Sequence, residues 1–213
     1  MGDITIRQLA LGQLQANCYI VWREGRDDAF VIDPGDDVQA VERELTVFHR
    51  RLTDILLTHG HFDHVLGAAA LAGKHGARIH IHPNDAHMLL SSGASLYNPA
   101  WCREVYTPVK ADSPYPIGDE DWTITVCGIA FTGFRTPGHT PGSVCLLDEE
   151  HKALFTGDTL FAQGYGNTGF PGGSDDEMRL SLNRLLSMDR SLTVYSGHGP
   201  ADTMDSIARF WRR

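Results

Sequence analysis

The segment Thr58-His59-Gly60-His61-Phe62-Asp63-His64 places three imidazoles and a carboxylate within six residues. On an extended chain His59 and His61 point the same way, because side chains alternate, and after a turn Asp63 and His64 can reach a second point nearby. Neutral imidazole and carboxylate are the donors that suit Zn²⁺, Fe²⁺ and Mn²⁺. Three more donors stand in a similar context: His139 in Thr136-Pro137-Gly138-His139-Thr140-Pro141-Gly142-Ser143, Asp158 in Thr156-Gly157-Asp158-Thr159, and His198 in Ser196-Gly197-His198-Gly199. Each is flanked by glycine, which lets backbone approach closely. Taken singly, each of these three could be a surface residue. Together the seven are enough for two metals sharing one carboxylate, and an ionisable cluster at a strand end is costly unless it is used.

The elements that must position these donors follow from local pattern. Strands are expected at Ile4 to Leu9, Cys18 to Trp22, Ala29 to Ile32, Thr53 to Thr58 and Arg78 to His82. The second half resumes with strands at Trp122 to Val126, Ile129 to Arg135, Ser143 to Leu147, Ala153 to Thr156 and Leu192 to Ser196. Helices are expected from Val38 to His49, from Val65 to His75, from about Pro83, from Ser174 to about Met188 and from Asp202. Ser174 with Glu177 reads as a capping box, and Asp33-Pro34-Gly35-Asp36 as a turn. Ser91 to Gly118, with four prolines, reads as a long loop whose Tyr97, Trp101 and Tyr106 wall an acyl pocket or pack the loop on its own domain. A buried strand ends in His59-Gly60 in one half and in His198-Gly199 in the other. The pattern predicts two similar βα halves, packed sheet to sheet with helices outside, in one domain over 1–213.

The remaining histidines have plainer explanations. His49 and His75 fall near helix C-termini, where positive charge is favoured. His80 and His82 flank Ile81 on one strand face that is solvated or hydrogen-bonded, and His87 and His151 read as exposed.

Composition narrows the class. The 213 residues are 42% hydrophobic and 21% charged, an ordinary globular balance. Eighteen basic against 27 acidic residues give a formal charge of −9, without the basic footprint of a nucleic-acid binder. Cys18, Cys102, Cys127 and Cys145 are far apart and read as reduced thiols. The start MGDITIRQLALG lacks a basic region followed by an apolar run, and no stretch approaches the roughly 18 apolar residues that span a bilayer. The expectation is a cytoplasmic protein with no membrane and no nucleic-acid partner.

HxHxDH, the TPGHTPGS loop, the TGDTLF segment and the GHG segment together resemble the metallo-β-lactamase fold superfamily over nearly the whole chain. That resemblance implies an α/β fold, a four-layer αββα sandwich with the metals at one edge between the sheets. It implies that His59, His61 and His139 hold one metal, that Asp63, His64 and His198 hold the other, and that Asp158 bridges. TGDTLF and FPGG look most like short bacterial glyoxalase II proteins, hydroxyacylglutathione hydrolases. The implied activity is a binuclear hydrolase, with zinc first and iron or manganese as alternatives, acting on a small-molecule thioester. Metals lower the pKa of a bound water to about 7. The resulting hydroxide attacks the carbonyl while Asp63 orients it by accepting its proton. Tyr165, Asn167 and Phe170, close after Asp158, are the expected substrate contacts. Asn167 stands where the resembled family carries Arg or Lys, and Gly169 where it carries Asp, so a cationic anchor for glutathione is missing. The alternatives are a persulfide dioxygenase, with one Fe²⁺ on His59, His139 and Asp158, and a lactonase. Zinc β-lactamases typically place Cys where Asp158 stands, which counts against that activity.

Overall fold

The computed structural model describes residues 3–116 and 120–212. Alternation in the strands sets the layers. In β2 (Ala16–Arg23), Cys18, Ile20 and Trp22 face outward onto helices, while Tyr19 and Val21 face inward. In β8 (Val144–Asp148) the same rule sends Val144 and Leu146 inward and Cys145 and Leu147 outward.

The first sheet has the order β1 (Ile4–Leu11), β2, β3 (Asp28–Ile32), β4 (Arg51–Leu56), β5 (Arg78–His80), with β3, β4 and β5 parallel. The second runs from β6 (Trp122–Val126) through β7 (Ile129–Arg135), β8, β9 (Ala153–Gly157) and β10 (Thr193–Ser196) to β11 (Asp202–Thr203). Between the sheets Tyr19, Phe30, Ile32 and Leu56 meet Phe131, Val144, Leu146 and Phe155. Phe30 and Phe131 pack edge to face at 5.6 Å, and each buried aromatic of this kind is worth roughly 1.5–3 kcal/mol. Helices α1 (Val38–Val47) and α3 (Ala68–His75) cover the outside of the first sheet through Val41, Leu45 and Leu71. Helices α4 (Asp175–Leu186) and α5 (Met204–Phe210) cover the second through Met178, Leu182, Leu185 and Ile207. This is the expected αββα sandwich. No helix among the described residues is long and apolar enough to cross a membrane.

Several local expectations change. The helix expected from Val65 to His75 is broken: α2 (Phe62–Val65) begins inside the histidine motif and α3 starts at Ala68. Gly67 separates them because it lies against the Asp33-Pro34-Gly35-Asp36 turn. Its N–H donates to Pro34 O at 2.9 Å, and a Cβ there would sit 2.8 Å from Gly35 O. The helix expected from Pro83 is instead a turn followed by a 3₁₀ helix at Ala86–Leu90. Successive i→i+3 bonds tighten it, Asp85 N to His82 O and Ala86 N to Pro83 O. The capping box is half-formed. Ser174 Oγ accepts from Glu177 N, but Ser174 N donates to Gly138 O, which ties α4 to the His139 loop.

β5 stops at His80, so His80 and His82 do not share a strand face. Both are buried, and His80 Nε2 lies 2.8 Å from Asp54 Oδ1. His151 is half-buried rather than exposed, with Nδ1 2.7 Å from Asp148 Oδ2. The long loop contains a short 3₁₀ turn at Pro99–Trp101, and its expected end at Gly118 lies outside the described residues.

Candidate metal centre

Four chain segments converge at one edge of the seam between the sheets. β4 delivers His59 and His61, and α2 turns Asp63 and His64 back toward them. The loop between β7 and β8 carries His139, the end of β9 carries Asp158, and the end of β10 carries His198. Backbone bonds lock the seam there: Val144 N donates to Thr58 O at 2.9 Å, and Asn17 N to Gly197 O at 2.7 Å.

The seven donors sort themselves by distance. His59, His61 and His139 bring three ring nitrogens within 4.8 Å of one another, and Asp63, His64 and His198 do the same with three donors. Asp158 reaches both groups. Its Oδ2 is 3.5 Å from His139 Nε2 and 3.6 Å from His198 Nε2, and its Oδ1 is 3.4 Å from His64 Nε2.

Each outward-facing ring nitrogen that has a partner fixes a tautomer. His139 Nδ1 donates to Asn167 O at 2.7 Å and His198 Nδ1 to Leu14 O at 3.2 Å, since a carbonyl can only accept. His64 Nδ1 donates to Asp33 Oδ2 at 3.1 Å. The Thr58 hydroxyl donates to Asp33 Oδ2 at 2.6 Å, so its lone pair accepts from His59 Nδ1 at 3.1 Å. In all four rings Nδ1 is held by the supporting oxygen and Nε2 is the atom turned to the centre, the orientation that metal-binding imidazoles need. His61 faces the centre with Nδ1, 2.8 Å from His139 Nε2. The inward atoms His59 Nε2, His64 Nε2 and Asp158 Oδ1 are buried without a hydrogen-bond partner. Buried polar atoms left unmatched are expensive, and a cation would satisfy all of them. The donor set therefore fits a metal pair.

Electrostatics divide the rings into two that are already neutral and one, His64, on which a cation would have to displace a proton. Burial, reinforced by the neighbouring imidazoles, pushes His59 well below its ordinary pKa, and burial with His139 pushes His61 down to about 3. Both rings are neutral donors. Burial opposes charge on His64, but Asp63, Asp158 and Asp33 surround it and push it up to about 10. Burial works against ionisation of Asp63 as well, yet His64 and His198 hold its carboxyl well below the usual range.

Two carboxylates outside the expected donor set, one of them read as part of a turn, have structural roles here. Asp33, buried with φ 51°, supports His64 directly and His59 through Thr58, and also accepts from Thr58 N. Its oxygens are committed outside the centre, so it orients donors and is not itself one. Asp85, fully buried, accepts from Gly60 N at 3.0 Å, Gly142 N at 2.8 Å and Thr140 Oγ1 at 2.6 Å, clamping the His59–His61 turn to the His139 loop. A carboxylate beside Pro-Gly and one two residues after Pro83 were the available signals.

Glycine is required at Gly197, where a Cβ would collide with Asp158 Oδ1. Of the expected substrate contacts, Asn167 and Phe170 line a cavity of about 470 Å³ in front of the donors, and Tyr165 does not. Tyr165 turns away and packs on Trp211 at 5.8 Å. From the long loop Trp101 reaches the cavity, together with Leu96 and Asn98. Tyr97 packs on Phe62, and Tyr106 donates to Met88 O.

A family model described as the metallo-beta-lactamase superfamily matches residues 11–198. An uncharacterized protein of Mycobacterium tuberculosis is 35% identical, covering 93% of this chain and 92% of its own. The hydroxyacylglutathione hydrolase GloC of Haemophilus influenzae is 29% identical, covering 97% and 96%. Among solved structures, the BLEG-1 B3 metallo-beta-lactamase superposes with a TM-score of 0.86 at 31% identity, covering 95% of each chain. TTHA1623 in a di-iron-bound form gives 0.82 at 32% identity, covering 96% and 98%.

Proposed function

The chain belongs to the metallo-beta-lactamase superfamily, and on that premise we propose that it is a two-metal hydrolase of thioesters, of the hydroxyacylglutathione hydrolase type. The observation that carries the reading is the convergence of seven donors, three of whose inward atoms, His59 Nε2, His64 Nε2 and Asp158 Oδ1, are buried without a hydrogen-bond partner. His59, His61 and His139 would hold one ion and Asp63, His64 and His198 the other, with Asp158 between. Divalent ions held there supply Lewis acidity at a carbonyl oxygen and lower the pKa of a water toward 7. Zinc is the proposed ion, and iron and manganese are alternatives that the same donors suit.

The chain's own groups do the rest. Asp63 is ionised and partly open to the cavity, placed to accept a proton from an attacking water. Among the described residues no cysteine lines the cavity. Burial pushes the Cys102 and Cys127 thiols up to about 11 and Cys145 to about 12, and a thiol that keeps its proton is a poor nucleophile. A thiolate product leaves readily, since its conjugate acid has a pKa near 8–9. The likeness to GloC supports the thioester assignment. The four free thiols and the acidic surface support a cytoplasmic location with no nucleic-acid partner.

Metal analysis coupled to a thioester panel read by thiol release tests the proposal. Two ions per chain and steady thiol release are expected. One iron per chain with oxygen uptake would overturn it in favour of a persulfide dioxygenase. A lactone and a β-lactam in the panel should be cleaved at least about tenfold less efficiently than the best thioester, a difference of about 1.4 kcal/mol in barrier.

A further inference from the structure

Around the donors that face it, the cavity is walled mainly by the apolar side chains of Leu14, Phe62, Leu96, Trp101, Phe161 and Phe170. Two of these rings grip the centre from opposite sides. Phe170 meets the His61 ring at 5.5 Å and the His139 ring at 6.1 Å, while Phe161 meets the His198 ring at 5.9 Å. Trp101 and Phe170 are respectively 47% and 39% exposed, a large apolar presentation for side chains with no partner across the opening.

The polar complement is small and carries no positive side chain. Apart from the metal donors it consists of Asn98, Asn167 and the backbone of Gly166. Both amide oxygens are already committed, Asn98 Oδ1 to Ala100 N and Asn167 Oδ1 to Gly169 N. Among the described residues no lysine or arginine lines the cavity. Arg103, on the neighbouring loop, is spent on Asp37 at 3.0 Å and is 77% exposed. The floor contributes the carboxylates Asp63 and Asp158. A thiol carrier with free carboxylates, such as glutathione, finds no lysine or arginine here among the described residues, and outside the metal pair only the Asn98 and Asn167 amide N–H groups are offered to it. An uncharged arm finds aromatic walls.

We infer that the substrate is a thioester whose acyl and thiol arms near the carbonyl are apolar and uncharged, with Phe161 and Phe170 determining that specificity. This rests on the thioesterase reading above. Hydrophobic contact predicts about a three- to fourfold rise in kcat/KM for each methylene added to the acyl chain until the walls are filled. It also predicts that a neutral carrier outperforms glutathione at least about tenfold, the scale of one lost charge-assisted bond.

The test uses the two-metal protein and one acyl series, two to eight carbons, on N-acetylcysteamine and on glutathione, read by thiol release. In parallel, calorimetry measures binding of the uncleavable thioethers S-hexyl-N-acetylcysteamine and S-hexylglutathione. The expected result is preference for the neutral carrier in both assays and a rise with acyl length. Phe161→Ala and Phe170→Ala should flatten that rise through KM with metal content unchanged, and Asn167→Arg should improve the glutathione series selectively. Tighter binding of S-hexylglutathione, or kcat/KM independent of acyl length, overturns the inference while leaving a thioesterase. Absence of thiol release from every ester overturns the thioesterase reading itself, and the thioether binding still decides which carrier the cavity accepts.

Discussion

The two donor clusters share a carboxylate but differ in make-up. The group of His59, His61 and His139 is three imidazoles, 1–4% exposed, with Phe170 packed against two of the rings. The group of Asp63, His64 and His198 includes a carboxylate, and the side chains of Asp63 and His198 are 15% and 27% exposed. Closed sites retain a cation, and open ones leave a position for water or substrate. On the proposed assignment the first cluster would hold its ion and the second would exchange and react, with Asp158 making each depend on the other.

The largest expected effect follows from that shared carboxylate. Asp158→Ala should empty both clusters, and metal analysis should find less than one ion per chain. Retention of a full equivalent would mean that the clusters are independent. Next is graded removal. A competing chromophoric chelator should extract the pair in two phases, the ion at Asp63, His64 and His198 leaving first, and a single phase would erase the distinction drawn here. A smaller effect separates the two supporting carboxylates. Asp33→Ala touches His64 and His59 and should weaken both ions about 10- to 100-fold, the usual cost of losing such a partner. Asp85→Ala should weaken only the ion of the buried cluster, because its contacts run to the turns that carry His59, His61 and His139. The smallest effect is the control. His80→Phe should leave metal content unchanged and cost roughly 1–3 kcal/mol in urea unfolding, because buried Asp54 loses one partner but keeps Arg78 at 2.8 Å.

What the sequence made legible follows the same division. His59, His61, Asp63, His64, His139, Asp158 and His198 stand out because donor types recur at strand ends beside glycine, a pattern that spacing alone exposes. Asp33 and Asp85 do not, since a carboxylate near proline or glycine is also what an ordinary turn contains, and only the fold shows whom it touches. Tyr165 illustrates the opposite error. Its closeness to Asp158 in sequence suggested closeness in space, but the chain reverses at Gly164 (φ 103°) and carries the ring to Trp211. Phe161, inside the same TGDTLF segment, reaches the cavity instead. The broken helix at Gly67 was hidden because helical periodicity runs through both pieces, and what interrupts it is the backbone of Pro34 and Gly35, far earlier in the chain.

The stitching of the seam has a consequence for the order of events during synthesis. A nascent chain that has completed only the first sheet already carries His59, His61, Asp63 and His64, yet neither cluster can close. His139 and Asp158 arrive with the second sheet, and His198 only after β10 has paired alongside β9. N-terminal segments emerge first, so on the proposed ligand assignment neither ion is held until the second sheet is in place. On that assignment metal content would record completed assembly: a molecule whose second sheet had misfolded would lack both ions.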